Sequence, residues 1–361
     1  MPHLSTRPTM RSIAAAAGVC PMTVSLALRN DRSVSAQTCT RIQKLARTLG
    51  YRPDPMLTHL MQHLRTSRTT KAGVNLAVLA TLDAQFVRRL INGATARAGR
   101  LGYALDRIDL RAFANKPAAL TRTLSARGIA GVLLGPSADP VDYSTLLDWR
   151  KFAAVAMTYS VFEPRVHRVV THHFDNTVRT FALLEQRGFK RIGLVMTSDM
   201  EFRANHSYTG AFYRAGGITN SKSAPILYLD HNTRRDIPAW FDRHRLQAIV
   251  VANASQVENF LVPALGNRRC AKTAFACLDY EAETYIAGMD QRFEIIGGHA
   301  IDVLVAQIHR NERGLPENPT VTMVEGHWLD VCGFYPFASK REAAASSSIH
   351  ATVGRQERRS R

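Results

Sequence analysis

The chain has 361 residues, 45% hydrophobic and 21% charged, and 47 Lys and Arg against 29 Asp and Glu give it a formal net charge of +18. That length exceeds one compact core, so two or three domains are expected, and the composition is that of a folded chain rather than a disordered one. No run of roughly 18 uncharged apolar residues is present to form a membrane-spanning helix, and MPHLSTRPTMRSIAAAAGVC lacks a signal-type apolar core, so a cytoplasmic, nucleoid-associated protein is expected.

The charge is uneven. Residues 1–71 hold 11 Lys and Arg against Asp31 and Asp54, and residues 340–361 hold six basic residues against two acidic ones. Half of the excess therefore sits in the first fifth of the chain, the pattern of a polyanion-binding head on a nearly neutral body. The cysteines, Cys20, Cys39, Cys270, Cys277 and Cys332, are odd in number and form no CxxC pair. They read as reduced thiols, and no metal or cofactor is expected.

In chain order, Thr9 is a suitable N-cap for a helix through Ala17, and Gly18 a suitable stop. Pro21 fits the first turn of a second helix, to about Arg29, because its missing N–H would be unpaired there anyway. Ser35 can cap a third helix in which Ile42, Leu45, Ala46 and Leu49 recur at helical spacing. Together these make a helix-turn-helix unit. Asp54-Pro55 starts a further short helix to about Arg65, followed by polar TSRTTKAG. From Val74, the short strand candidates VNLAVLA, YALDRID, IAGVLLG, FAAVAMT, RIGLVMT, APILYL, LQAIVVA and TAFACL, most of them apolar, alternate with helical or turn-like stretches, the signature of parallel sheets in an α/β body. The Ser-, Ala- and Arg-rich tail reads as disordered.

The residues Thr9, Ile13, Ala14, Ala17, Gly18, Val19, Thr23, Val24, Ser25, Val34, Ser35, Thr38, Gly50, Tyr51 and Pro53 stand at fixed spacing without a gap. This pattern resembles the head of the lactose repressor family of bacterial transcription regulators. GFKRIGLV, VVAN and DQRFEIIGGHAIDVLVAQI extend the likeness over the body, to about residues 9–337. The resemblance implies a small all-α helix-turn-helix head (1–52), a hinge helix and linker (53–71), and a two-lobed α/β body like periplasmic binding proteins (72–337). The amino-lobe is expected at about 73–159 plus 291–321 and the carboxyl-lobe at about 164–288 plus 323–337, before a basic tail at 338–361.

By the resemblance, the second helix enters the major groove of a near-palindromic DNA operator. Pro21, Met22 and Leu26 would face base edges, flanked by Thr23 and Ser25, while Arg29 suits a phosphate. Thr9, Ser35, Thr38 and Tyr51 complete the expected DNA-binding set. Ile13, Ala17, Val19, Val24, Leu28, Val34, Ile42 and Ala46 form the expected mini-core. Three positions depart from the family pattern. Ser12 replaces an acid, which puts a helix-start interaction in doubt. Cys20 replaces the capping serine, and a thiol is a weak acceptor. Leu26 replaces a frequent arginine, which removes a bidentate guanine contact. The apolar trio suggests thymine-methyl and shape contacts, hence an operator of its own. In relatives a hinge leucine wedges into the minor groove of DNA bound by a dimer, and Leu60, with Met61 beside it, matches it here.

In the body, Asn253, Asp279 and Gln291 match pocket positions, and their side chains suit sugar hydroxyls. Ser207 occupies the register of a pocket arginine in relatives, and Arg203 lies close by. Tyr159, Phe86 and Phe174 are possible stacking platforms. No G-x-S-x-G, GxxxxGK or HExxH occurs, so no enzyme is expected. Adjacent His172 and His173, taken as a strand, would face opposite ways and make poor joint ligands. The implied function is a homodimeric regulator, a repressor by the resemblance, controlled by a small-molecule effector of sugar type between the lobes. The alternatives are a sugar-binding receptor without a regulatory role and an α/β enzyme with an appended helical head.

Overall fold

The computed structural model describes residues 9–28, 33–51, 75–113, 116–216, 224–229, 233–280 and 286–330. The expected hinge helix at 53–71 with Leu60 and Met61, Arg29, and the tail at 338–361 lie outside the described residues.

The head contains α1 (Met10–Ala17), α2 (Pro21–Ala27) and α3 (Ala36–Thr48). Thr9 caps α1, and Ser12 completes a capping box by accepting the Thr9 N–H at 2.8 Å while its own N–H donates to Thr9 Oγ1 at 3.3 Å. The serine thus supplies the helix-start contact that the loss of an acid had put in doubt, because its short hydroxyl reaches the same backbone group. Gly18 adopts φ +65°, a left-handed conformation that an L side chain rarely takes, and it turns the chain into α2. Ile13, Ala17, Val24, Ile42 and Ala46 are buried as expected, together with Ala14, Ala27 and Cys39. Val19, Leu28 and Val34 are only half-buried at the rim of this cluster.

The body holds two six-stranded sheets built on the same plan. In the first, β1 (Asn75–Ala80) lies between β2 (Ala104–Asp109) and β3 (Ile129–Leu134), and β5 (Ala153–Ala156), β7 (His167–Thr171) and β13 (Val321–Val324) follow outward from β3. In the second, β8 (Ile192–Met196) lies between β9 (Ile226–Tyr228) and β10 (Ala248–Val251), followed by β11 (Ala274–Cys277), β12 (Gly288–Asp290) and β14 (His327–Leu329). All these pairings are parallel except β12 with β14, and a separate short pair, β4 (Val141–Asp142) with β6 (Val161–Glu163), is parallel as well. The strand period of two explains why the runs are apolar throughout: Leu76 and Val78 feed one core and Ala77 and Leu79 another.

Helix α4 (Gln85–Arg100) and the long helix Phe293–His309 cover one face of the first sheet. They pack so closely that a Cβ at Gly93 or Gly297 would collide with the backbone oxygen of Glu294 or Leu90. Helix α5 (Pro117–Ala126) covers the other face. On the second sheet, α6 (His173–Gln186), α7 (Ser198–Arg203) and α8 (Ser207–Ala215) lie on one side and α9 (Ile237–His244) on the other.

Strand pairing corrects the expected lobe boundary. Val155 pairs with His167 and Val321 with Arg168, so residues 167–171 and 321–324 belong to the first sheet. The carboxyl-lobe therefore does not begin at 164, and strand 321–324 is not divided between lobes. The chain passes between the sheets near residues 172, 291 and 325. Buried Asn176 ties two of these crossings, its Oδ1 accepting the Gly326 N–H at 2.8 Å.

Candidate functional site

Two features stand out, one in each part of the chain. The first is the exposed face of α2. Val24 and Ala27 are buried against α1 and α3, so the opposite face must point outward. Pro21 and Met22 are exposed, Met22 at 56%, and Thr23, Ser25 and Leu26 are half-buried. The helix begins without a side-chain cap. Cys20 Sγ lies 3.2 Å from Thr23 Oγ1 instead, and that hydroxyl holds the thiol below its ordinary pKa. Ser35, by contrast, caps α3 through the Thr38 N–H at 3.3 Å and lies 2.8 Å from the Thr38 hydroxyl. Thr9, Ser35 and Thr38 thus spend hydroxyl contacts on holding helix starts, and Tyr51 packs half-buried at the edge of the mini-core.

The second feature is a cleft between the two sheets, at the carboxyl ends of their strands. A central strand flanked on both sides leaves such a crevice where the chain's winding reverses. Its inner cavity measures about 100 Å³ and is lined by both lobes. Phe86 follows β1, Tyr159 follows β5, Asp279 follows β11, and Gln291 follows β12. These four join Arg203, the pair His173 and Tyr208, and the hydroxyls of Thr158 and Thr171 around a wall that includes Phe293 and Met157.

Arg203 reaches the cavity from α7, although it is out of register with the arginine of relatives. The left-handed pair Asn205 and His206 (φ +53° and +57°) then turns the chain so that Ser207 opens α8. Arg203 donates from Nη1 to the Ala138 carbonyl at 3.0 Å, across the cleft, and pairs with Asp199 at 3.1 Å. Asn253 is not in the lining. It sits at the N-cap position of a short helical turn, and its Oδ1 accepts the Ser255 hydroxyl at 2.6 Å. Its polar group serves the turn, as Asn commonly does. Phe174 is 41% exposed and does not line the cavity either.

His173 and Tyr208 were not singled out as site residues by sequence. His172 and His173 are not in a strand: His172 is the N-cap of α6, its Nδ1 accepting the Asp175 N–H at 3.3 Å, and His173 is the first helical residue. His173 Nδ1 lies 3.1 Å from the Tyr208 hydroxyl, with the rings edge to face. Burial, helped by the neighbouring His172, lowers His173 to about 4, so its imidazole is neutral near pH 7. Burial and nearby Asp279 raise Tyr208 above the ordinary phenol range. Gln291 donates to the Leu278 carbonyl at 2.7 Å and is itself buried. The cavity therefore offers a neutral imidazole, a phenol, a carboxylate and a guanidinium beside aromatic faces. That set recognises hydroxyl groups and ring faces. Among the described residues no group of three His, Cys, Asp or Glu side chains could hold a metal ion.

Residues 9–54 match the family model of bacterial regulatory proteins of the lacI family. The HTH-type transcriptional repressor CytR of Escherichia coli (strain K12) is 30% identical over 193 residues, 53% of this chain and 54% of that protein, so the match spans about half the length of this curated relative. Among solved structures, the transcriptional regulator CelR–cellobiose complex is 19% identical and covers 90% of this chain and 99% of that one, with a TM-score of 0.55. The Lac repressor bound to ONPG in its repressed state is 16% identical with the same coverages and a TM-score of 0.54. A LacI family transcriptional regulator from Enterococcus faecium with bound ribose is 14% identical, covering 73% and 100%, with a TM-score of 0.55. At these identities the structures establish the shared fold.

Proposed function

We propose that this chain, whose head belongs to the LacI family of bacterial regulatory proteins and whose body has the fold of that family's solved members, is a sequence-specific transcriptional repressor governed by a small sugar. The observation that carries the reading is the joining of two parts: a compact three-helix unit exposing the start of α2, and a two-lobed body with a hydroxyl-recognising cleft. Two copies would present two α2 helices to the halves of a near-palindromic operator. Pro21, Met22 and Leu26 reach base edges, and Thr23, Ser25 and the basic residues of the head take the backbone. Arg29, Leu60 and Met61 would add a phosphate contact and a minor-groove wedge.

The lobes would close on the effector through Arg203, which already spans the cleft to Ala138. Asp279 and Gln291 orient hydroxyls, Tyr159 contributes a polar ring edge, and Phe86 and Phe293 cover ring faces. Effector control then follows if the ligand binds one lobe arrangement better than the other. Selection of bound sequences from random DNA by the full chain, repeated with a panel of sugars, tests this. A recurrent two-fold site whose affinity falls steeply with salt and shifts with one sugar is expected. Recovery of no common sequence, or binding that is unchanged from low to high salt, overturns it.

A further inference from the structure

The amino ends of the strands in the second sheet carry a block of positive charge. Lys190 and Arg191 precede β8, Arg243 and Arg245 precede β10, and Arg268, Arg269 and Lys272 precede β11, all of them exposed. The three strands are neighbours in register, Ala248 pairing with both Ile192 and Ala274, so these approaches meet on one face. Hydrogen bonds hold them together. Gln247 Oε1 accepts the N–H groups of Lys190 and Arg191 at 3.0 and 3.2 Å, and Arg191 Nε donates to the Arg245 carbonyl at 2.5 Å. Arg245 has a left-handed conformation, φ +48°, that glycine adopts more readily, so a basic side chain is kept there at some conformational cost.

The charge is poorly answered. The described carboxylates at this end are Glu185, Asp242 and Asp330, of which Asp242 pairs with Arg269 at 3.2 Å and Asp330 with Arg187 at 2.7 Å. Eight basic groups, with Arg187, thus stand against three acidic ones. That surplus of five equals the surplus of the whole body, where residues 72–339 hold 30 Lys and Arg against 25 Asp and Glu. On the first lobe the balance is local: Arg111 pairs with Asp109, Arg127 with Asp106, Arg150 with Asp148 and Arg165 with Glu163. A cluster without such partners repels itself and is relieved by a polyanion. Asp330, the last described residue, lies on this same face, and residues 340–361 add six basic residues against two acidic ones.

We infer that this face binds the phosphate backbone of a second DNA duplex, without regard to sequence, so that the protein bridges two segments of DNA. Planar guanidinium groups suit phosphate oxygens, and backbone contacts of this kind carry no sequence information. The cleft lies at the carboxyl ends of both sheets, so their amino ends point away from each other. The chain enters the body at Asn75, at the amino end of β1, and the basic face is at the opposite end. A duplex held by the head therefore leaves this face for another. The inference concerns the body and goes beyond the repressor reading, which accounts only for the duplex at the head.

The test is a two-duplex capture by the full chain. One random-sequence duplex is immobilised, the chain is bound to it, and retention of a second, labelled duplex is measured from low to high salt. The chain should retain the second duplex, with a steep loss as salt rises. Lys190→Gln, Arg243→Gln, Arg268→Gln and Lys272→Gln made together remove four exposed charges from the face. Second-duplex affinity should fall about tenfold or more and its salt slope should become shallower by about 3–4, with retention of the chain on the first duplex unchanged. An equal loss of charge on the first lobe, by Arg88→Gln, Arg111→Gln, Arg150→Gln and Arg165→Gln together, should leave both readings unchanged. A chain retained without a second duplex overturns the inference while the repressor reading stands. So does bridging that survives the first set of changes or falls equally with the second. A chain not retained on DNA at all overturns both readings. Capture of phosphatidylglycerol vesicles or polyglutamate in preference to the second duplex overturns DNA as the occupant.

Discussion

The head and the cleft solve recognition in opposite ways. The proposed reading surface of the head is one short contiguous helix, and only the small cluster beneath it is needed to hold that helix in place. The cleft draws its side chains from strand ends and helix starts between Phe86 and Ile296, brought together by two sheets and three passages of the chain. A local device of this kind is sensitive to its small core and its caps. A distributed one is sensitive to single polar groups but is braced by large cores on both sides.

The largest expected effect tests the independence of the two parts. Ile42 is fully buried in a cluster of eight buried side chains, and Ile42→Ala should cost about 2–5 kcal/mol, enough to unfold so small a unit. Gel-shift binding should vanish while calorimetric sugar binding persists. Loss of both together would break the comparison.

Next in size is Asp279→Ala, which removes a carboxylate from the cavity wall. Effector affinity should fall by about 10- to 100-fold, the range for a charged hydrogen-bonding group, with operator affinity in the absence of effector unchanged.

A pH effect sharpens the contrast, because the described residues of the head hold no histidine whereas His173 lines the cleft. His173 titrates near 4 in the folded chain and at about 6.5 when unfolded. Between those values the unfolded chain binds the extra proton, so this group's contribution to stability is whole above about 6.5 and lost as pH falls toward about 4. Chemical denaturation of the body from pH 7 to 4.5 should show this slope, and His173→Asn should flatten it. An unaltered slope would remove His173 from the account.

The smallest effects are at the caps. Cys20→Ser should give α2 the side-chain cap it lacks and stabilise the head by about 0.5–1 kcal/mol, whereas Thr9→Ala should cost about 1 kcal/mol by removing one half of the α1 capping box. Thermal melts of the chain followed at the head transition would show opposite signs. Equal shifts for both would mean that caps do not limit the head.

The head was legible because its signals are local. Thr9, Gly18, Pro21 and Ser35 act through bonds and dihedrals spanning a few residues, and the boundaries they predict agree closely with the observed helices. In the body, the strand-like runs identified eight of the strands; in central strands such as β1, β3, β8, β10 and β11, burial on both faces leaves a nearly unbroken apolar string, whereas edge strands β2 and β9 are partly exposed. Strands with less apolar or shorter segments, such as β12 and β14, gave no such signal. Asn253 and Asp279 look alike by sequence, each following a strand. Only the fold puts Asp279 against the cavity and leaves Asn253 serving its own turn.

His173 and Tyr208 show the same limit. They lie 35 positions apart and meet because α6 and α8 pack on one sheet face, a contact that no local pattern records. The sequence by itself determined the helix starts, the charge division and the α/β character, since each follows from interactions within a turn or a strand. The tertiary structure alone decided which polar groups share the cleft, that Phe86 and Phe293 meet in its wall, and that strand 167–171 completes the first sheet. Those outcomes depend on distant segments competing for the same neighbours, and that competition is settled only when the whole chain packs.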